Sequence, residues 1–236
     1  MARNATVHWW FVGRRRILEA ALEQLDLPAD ARILEAGAGT GGNISLLRRF
    51  GTVTATEPDP RARAWIAEKT GTTAVDCTLP DTTPLQGTRF DLIVMLDVLE
   101  HIEDASSALA NLRGNLRPGG RFLVTVPAYP FLWSPHDESL MHFRRYTRRS
   151  LTETATAAGM KISRMRYFNT LLFPVVAATR VVLNLLGNRS VNEETLPPAV
   201  VNGILTTLFA AERHFVLSLP MPFGVSLLAV IEPRSP

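Results

Sequence analysis

The feature that most constrains this chain is a short apolar run that ends at an acidic residue and enters a glycine-rich turn. Ile33 and Leu34 precede Glu35, and glycines follow at positions 37, 39, 41 and 42. An amphipathic run begins at Ile44, so the pattern predicts a strand, a tight turn and a helix. Glycines allow positive φ angles and a close approach of backbone amides to a ligand, and a helix start adds unpaired N–H groups. We therefore expect the turn to bind a ligand.

Two interpretations of the turn compete with a purely structural one, in which glycine is needed only for packing. Gly37, Gly39 and Gly42 fit G-x-G-x-x-G, and Glu57 follows after about 20 residues, as in a dinucleotide site. This pattern would suit a nicotinamide-dependent oxidoreductase. Glu35 favours a different ligand, because a carboxylate repels a pyrophosphate but attracts the ammonium of an amino acid.

Three motifs together support the second interpretation. They are E-x-G-x-G-x-G at residues 35–41, D-x-x-E-H at 97–101 and L-R-P-G-G-R-F-L-V at 116–124. Across residues 33–127 the chain resembles the class I S-adenosylmethionine-dependent methyltransferases, in particular bacterial enzymes that act on small molecules. The resemblance implies an α/β fold with a doubly wound, Rossmann-like sheet of about seven strands, the last one antiparallel. It also implies a helical insertion before the final strand.

The same resemblance assigns the cofactor, S-adenosylmethionine, which leaves as S-adenosylhomocysteine, and the residues that hold it. Glu57 would bind the ribose hydroxyls, Asp76 would face the adenine, and Asp97 would lie beside the methionine moiety. An N-terminal helix would cover the pocket. The predicted cofactor residues are Trp10, Arg14, Glu35, Gly37, Ala38, Gly39, Glu57, Pro58, Asp76, Cys77, Asp97 and Val98. Cys77 is expected to pack rather than react, because no basic neighbour in the sequence lowers its pKa.

Chemistry is expected in the segment after the fifth predicted strand, which would emerge above the transferable methyl group. Methyl transfer needs an aligned acceptor and, for a hydroxyl or protonated amine, removal of a proton. His136 beside Asp137 is the preferred base, and His142 is the second choice. These histidines could instead only cap and pack the loop. A divalent ion on His136, Asp137 and His142 is a further alternative, but the prediction is that no metal is bound.

Other residues of this region are predicted to contact the acceptor. Aromatic side chains could form walls around an apolar or cationic group. The predicted acceptor-binding residues are His101, Tyr129, Trp133, Arg144 and Tyr146.

An apolar insertion precedes the last predicted strand. Residues 170–186 are nearly all apolar but too short for a spanning helix of about 20 residues. Residues 201–219 carry a one-sided apolar stripe at helical spacing. The insertion could roof a substrate pocket, form a homodimer face or lie on a membrane surface. All three uses favour an apolar or lipid-linked acceptor.

Composition and motifs also bear on the number of domains, the cellular compartment and the class of partner. The 236 residues, 46% of them hydrophobic, suit one domain, and the single cysteine excludes a disulfide framework. Without a recognisable export signal, the chain is expected in the cytoplasm, with peripheral contact at the inner membrane face left open. Nucleic acid is not an expected partner, because Asp97-Val98-Leu99-Glu100 replaces the Asn-Pro-Pro-Tyr type of motif used on flipped bases. A catalytically silent S-adenosylmethionine-binding protein is a further alternative to the enzyme.

The predicted organisation is therefore a single methyltransferase domain over residues 1–236. Its predicted parts are an N-terminal helical lid (1–30), a cofactor-binding core (33–127), a substrate-side loop, helix and strand (128–168), a helical insertion (170–220) and a final strand (224–232).

Overall fold

A computed structural model describes residues 6–185, 195–215 and 218–234 of the chain. Their centre is a six-stranded sheet with the order β2-β1-β3-β4-β6-β5. The strands are β1 (Arg32–Ala36), β2 (Thr52–Thr56), β3 (Phe90–Leu96), β4 (Leu116–Pro127), β5 (Met160–Phe168) and β6 (Ser226–Pro233). The first four are parallel, and β6 runs antiparallel to both β4 and β5. The predicted α/β class and the antiparallel last strand are confirmed.

The predicted count of about seven strands is wrong, because the sheet has six and residues 73–75, between β2 and β3, do not form a further strand. Among residues 73–75, Val75 alone bridges to Thr56 at the end of β2. A single bridge is too short a pairing to count as a strand. The chain nevertheless passes the sheet edge here, so the residues after Val75 stay beside those after β2.

Helices cover both faces of the sheet. They are α1 (Trp9–Glu23), α2 (Ile44–Leu47), α3 (Pro60–Thr70), α4 (Ala105–Arg113), α5 (Pro135–Ser139), α6 (Arg148–Ala157), α7 (Phe173–Leu185) and α8 (Ala199–Ala211). Side chains alternate between the faces along each strand. In β1, Leu34 belongs to the cluster that includes α4 and α6, whereas Ile33 belongs to the cluster that includes α1 and α8. The sheet is thus buried on both sides, as parallel sheets usually are.

Four elements beside the predicted motifs have distinct boundaries. Helix α1 begins at Trp9, so the aromatic residues before Gly13 lie in its first turn, with His8 as the N-cap. Helix α2 is only one turn long. Helix α4 ends at Arg113, and β4 begins at Leu116, with a register irregularity between its pairings to Phe90 and Leu92.

The insertion consists of α7 and α8. Gly13 allows α8 to approach α1 closely, because a Cβ there would lie 2.5 Å from Cδ1 of Phe209. Asn202 of α8 accepts a hydrogen bond from the backbone N–H of Trp9 at 2.8 Å. The predicted link at Glu193-Glu194 and part of the predicted stripe, including Val216, lie outside the described residues. Within the described part of the chain, no helix is long and apolar enough to cross a membrane.

Candidate active site

Three acidic residues mark the carboxyl ends of adjacent parallel strands. Glu35 is the second-to-last residue of β1. Glu57 directly follows β2, and Asp97 directly follows β3. The carboxyl ends of parallel strands share one edge, where doubly wound sheets bind their ligands. The structure thus brings the three predicted carboxylates to this edge.

The glycine turn lies at the same edge and has the positive φ angles that the sequence predicts. Gly37 has a φ of 73°, and a Cβ there would lie 2.9 Å from Cγ2 of Val98. Gly39 has a φ of 56°, but a Cβ there would meet no atom within 4 Å. Packing therefore accounts for Gly37, whereas Gly39 borders open space that a ligand can occupy.

The surroundings of Glu35 suit a carboxylate that binds a positively charged ligand group. The side chain is buried, Oε1 accepts a hydrogen bond from Nδ2 of Asn43 at 2.9 Å, and Oε2 has no partner among the described residues. Burial raises the pKa of Glu35 to about 7, although the Asn43 hydrogen bond and the charge of Arg14 oppose the rise. A ligand ammonium at Oε2 would satisfy the oxygen and favour its ionised form.

Asp97 is held by the helix that the sequence predicts as a lid. Its Oδ2 pairs with Nη2 of Arg14 at 2.7 Å, and its Oδ1 accepts a hydrogen bond from the Thr125 hydroxyl at 3.0 Å. Asp97 also has a φ of 57°, a strained value for a residue with a Cβ. The ring of Trp10 stacks against the Arg14 guanidinium at 5.0 Å. Helix α1 therefore reaches the ligand edge through these two side chains.

Glu57 closes the turn from the side of β2. Its Oε2 accepts the backbone N–H of Gly39 at 2.7 Å, and its Oε1 accepts that of Asp59 at 3.0 Å. Ala38 lies between Gly37 and Gly39 in the turn, and its N–H donates to the Thr56 carbonyl at 2.8 Å. Both oxygens of Glu57 keep lone pairs for the hydroxyl donors of a ribose.

The residues predicted near the adenine have different surroundings. Asp76 is exposed and pairs with Arg63 at 2.9 Å, and Arg63 also donates to the Pro58 carbonyl at 2.7 Å. Cys77 is buried, and its thiol donates to the Asp81 carbonyl at 3.2 Å. Burial, with the charges of Asp81 and Asp76, raises the pKa of Cys77, which makes it a poor nucleophile.

Asp137 does not contact its neighbour His136. It lies buried, with Oδ1 3.0 Å from Nδ1 of His142 and both oxygens bonded by Nη1 of Arg145 at 3.0 and 3.1 Å. Arg180 of α7 approaches it to 3.6 Å. Burial alone would raise the pKa of Asp137, but His142 and the two arginines hold it well below its usual range. The described contacts therefore assign the Asp137 carboxylate to His142.

A group that sequence reasoning missed lies next to His142. The rings of His101 and His142 meet edge to face with centroids 4.6 Å apart, and Glu100 joins them. Glu100 is 1% exposed, and burial together with the charge of Asp97 raises its pKa well above the ordinary value. The D-x-x-E-H motif contained Glu100, but nothing in the sequence placed His142 beside it. The metal site considered as an alternative from the sequence consisted instead of His136, Asp137 and His142.

The predicted acceptor residues are not all at a surface. Tyr146 is buried and donates its hydroxyl to the Leu99 carbonyl at 3.3 Å, so it belongs to the core, and burial raises its pKa to about 12. Arg144 donates to the Glu103 carbonyl at 2.6 Å. Tyr129 follows β4, stacks on Tyr167 at 5.2 Å and lies 5.7 Å from the ring of Phe173. Trp133, in the same loop, is half-buried.

Comparison with known proteins places this arrangement in a family. The methyltransferase domain family matches residues 11–164, and the chain therefore belongs to it. This confirms the class predicted from the sequence, an enzyme that transfers the methyl group of S-adenosylmethionine. No curated protein sequence matches the chain significantly.

Solved structures show the same fold at low sequence identity. A methyltransferase of Haloferax volcanii, solved in complex with the Trm112 methyltransferase activator, is 14% identical, with a TM-score of 0.64 and coverage of 99% of this chain and 93% of that one. An S-adenosylmethionine-dependent methyltransferase of Thermotoga maritima is 20% identical, with a TM-score of 0.60 and coverage of 96% and 93%. A TehB-like S-adenosylmethionine-dependent methyltransferase of Corynebacterium glutamicum is 21% identical, with a TM-score of 0.55 and coverage of 92% and 87%.

Proposed function

We propose that the enzyme methylates an oxygen or nitrogen atom of a small, apolar or lipid-linked acceptor. The observation that carries this proposal is the apolar surface beside the carboxyl end of β4. Tyr129 is the second residue after that strand, and Phe173 of α7 packs between the rings of Tyr129 and Phe223, at 5.7 and 5.1 Å. An acceptor bound against these rings would lie on the same sheet edge as Asp97.

The cofactor fits the ligand edge through the chain's own residues. Glu35 would pair with the ammonium of S-adenosylmethionine, and buried Arg14 would hold Asp97 in place at the same edge. Glu57 would accept the ribose hydroxyls, while Asp76, with Cys77 packed beside it, would lie nearest the adenine. When bound, the cofactor supplies an electrophilic methyl group on a sulfonium. The protein must exclude water, orient the acceptor and help to remove a proton from it.

We propose His142, rather than His136, as the histidine that helps to activate the acceptor. The support is the 3.0 Å contact between Nδ1 of His142 and Oδ1 of Asp137, which fixes the orientation of the ring. Arg145 and Arg180 in turn hold Asp137. The imidazole of His136 has no hydrogen bond among the described contacts, so nothing orients it in the same way.

The insertion helices support an apolar or lipid-linked acceptor in a second way. Val175 and Val182 of α7 and Val200 and Ile204 of α8 are all at least half exposed. Such side chains suit a pocket roof, a homodimer face or peripheral contact with the inner face of a cytoplasmic membrane. We propose a cytoplasmic enzyme that meets its acceptor through this surface.

An acceptor screen tests the proposal. The enzyme is incubated with S-adenosylmethionine and matched pairs of phenols and amines, one of each pair carrying a long alkyl or isoprenoid chain. Release of S-adenosylhomocysteine is then measured. We expect the chain-bearing member to react faster in each pair. Equal or faster reaction of the polar members would contradict the acceptor class, and no release with any acceptor would favour a silent binding protein.

A further inference from the structure

The cluster of Glu100, His101 and His142 has the composition of a metal site. Glu100 and His101 belong to a 3₁₀ helix, Leu99–His101, just after Asp97, and His142 comes from the loop after β4. One ligand-type atom from each of the three residues lies within 4.8 Å of the other two. Ligands about 2.0–2.2 Å from a zinc ion are separated by about 3.4 Å. A bound ion would therefore draw these atoms closer together, and His101 is the exposed member of the three.

Both histidines already have a partner on one ring nitrogen. His142 contacts the Asp137 carboxylate through Nδ1 at 3.0 Å, and the His101 ring forms a hydrogen bond with the backbone of Leu140. Metal-binding histidines almost always have such a partner, a carboxylate or a carbonyl, on the nitrogen that does not bind the metal.

Glu100 supplies an oxygen atom that lacks a partner. Its Oε2 is buried and has no hydrogen-bond partner among the described residues. The two nearby arginines form their ion pairs with other carboxylates, Arg14 with Asp97 and Arg145 with Asp137. A buried carboxyl oxygen without a partner is costly, and a bound cation would satisfy it.

We infer that Glu100, His101 and His142 bind a divalent transition-metal ion, with Asp137 and Leu140 orienting the two histidines. Two imidazoles and one carboxylate suit zinc, manganese or iron(II), and three protein ligands leave positions open for another ligand. The exposed side of His101 gives the ion access from solvent. The ion would lie close to Asp97, which stands two residues before this 3₁₀ helix, and therefore beside the ligand edge.

An ion at this position would define the acceptor more narrowly. A hydroxyl or carboxylate oxygen of the acceptor would occupy an open position, and a bound hydroxyl would lose its proton to solvent at a lower pH than in water. His142 would then activate the acceptor as a metal ligand rather than as a free base. This consequence rests on the proposed methyl transfer, whereas the metal site itself does not.

Direct titration tests the site. Mn²⁺ is followed by loss of the free-ion signal in electron paramagnetic resonance, and Zn²⁺ by calorimetry, in the wild type, Glu100→Gln, His101→Ala and His142→Ala. His136→Ala is the matched control, since it removes a histidine of the same loop that lies outside the cluster. We expect one equivalent of metal in the wild type and the control, and at least tenfold weaker binding in the three cluster variants.

Three results would overturn the inference: no stoichiometric binding of either ion to the wild type, unchanged affinity in His101→Ala, or equal loss in His136→Ala. Binding of S-adenosylhomocysteine by each variant checks that it is folded, and exposed His101 is the substitution least able to disturb the core. Since the titration needs no turnover, an acceptor screen without product would leave its result intact, and the two proposals can fail separately.

Discussion

The guanidinium of Arg14 pairs with the carboxylate of Asp97 at 2.7 Å, and this contact joins helix α1 to the carboxyl end of β3. Arg14 is buried, and the side chain of Asp97 is 24% exposed, so the pair lies at the inner wall of the ligand edge. Helix α1 is therefore joined to the ligand edge by an ion pair and does not only pack over it. Its contact with α8 also links the insertion to the same edge.

Replacement of Arg14 by methionine should weaken cofactor binding. The substitution keeps much of the packing volume but leaves Asp97 without its cation. We expect at least tenfold weaker binding of S-adenosylhomocysteine and a loss of about 1–3 kcal/mol in the free energy of unfolding. Calorimetry and chemical denaturation measure the two effects. Exposed Arg16, two residues along the same helix, provides the control Arg16→Ala, which should change neither quantity; equal affinity in both variants would contradict the role of Arg14.

Cofactor affinity should depend on pH through Glu35. Its pKa in the folded protein is raised from 4.5 to about 7, so the carboxyl is largely protonated below pH 6 and cannot pair with an ammonium. We expect the affinity for S-adenosylmethionine to rise between pH 5.5 and 7.5, by as much as tenfold per pH unit below the pKa. Calorimetry across this range should show the rise in the wild type, whereas Glu35→Gln should bind weakly with a flat profile.

The same carboxyl should affect stability in the absence of ligand. Because its pKa is higher in the folded than in the unfolded chain, the folded state is favoured by the proton, and this contribution is present below pH 4.5 and lost as the pH rises through about 7. The full difference corresponds to about 3 kcal/mol. Denaturation curves of the wild type and Glu35→Gln between pH 5 and 8 should diverge, with the variant gaining relative stability as the pH rises. Parallel curves would contradict the raised pKa.

Alanine substitutions at two glycines with similar φ angles should distinguish an effect on cofactor binding from an effect on stability. Gly39 and Gly87 have φ of 56° and 78°, and a Cβ at either would meet no atom within 4 Å. Gly39→Ala and Gly87→Ala should each cost about 1–2 kcal/mol in stability, because alanine is strained at positive φ. Only Gly39→Ala should weaken S-adenosylhomocysteine binding, since its methyl group would enter the cofactor's space. Similar affinities in the two variants would place the ligand elsewhere.

Asp137 should prove a structural anchor of the loop after β4. Asp137→Ala leaves Arg145 buried without its carboxylate, and we expect a loss of about 3–5 kcal/mol in the free energy of unfolding. Glu138→Ala, at the exposed next position, should cost less than about 0.5 kcal/mol. Because the pKa of Asp137 is depressed in the folded protein, its contribution is present at neutral pH and should fade as the pH falls below about 4. A loss below 1 kcal/mol would show that the network contributes little.

The sequence predicted the glycine turn and the strands that carry Glu35 and Asp97 because local patterns determine them. Gly37 and Gly39 require positive φ, Glu35 and Asp97 follow apolar strands, and parallel strands bring their ends together without further information. The acceptor side depends on contacts between distant segments. Asp137 stands beside His136 in the sequence, yet the loop turns its carboxylate towards His142 and Arg145, and no spacing rule specifies that choice. Glu100 was overlooked for the same reason, since only the folded loop brings His142 to it.

The central claim is that Glu35 and the glycine turn hold the amino-acid end of a sulfonium nucleoside. The most direct measurement is a crystal structure with S-adenosylhomocysteine, and the distance between Oε2 of Glu35 and the ligand's ammonium nitrogen. We expect about 2.8 Å, with the backbone of Gly39 beside the ligand. An ammonium bound elsewhere, or a nucleoside that leaves the turn untouched, would contradict it.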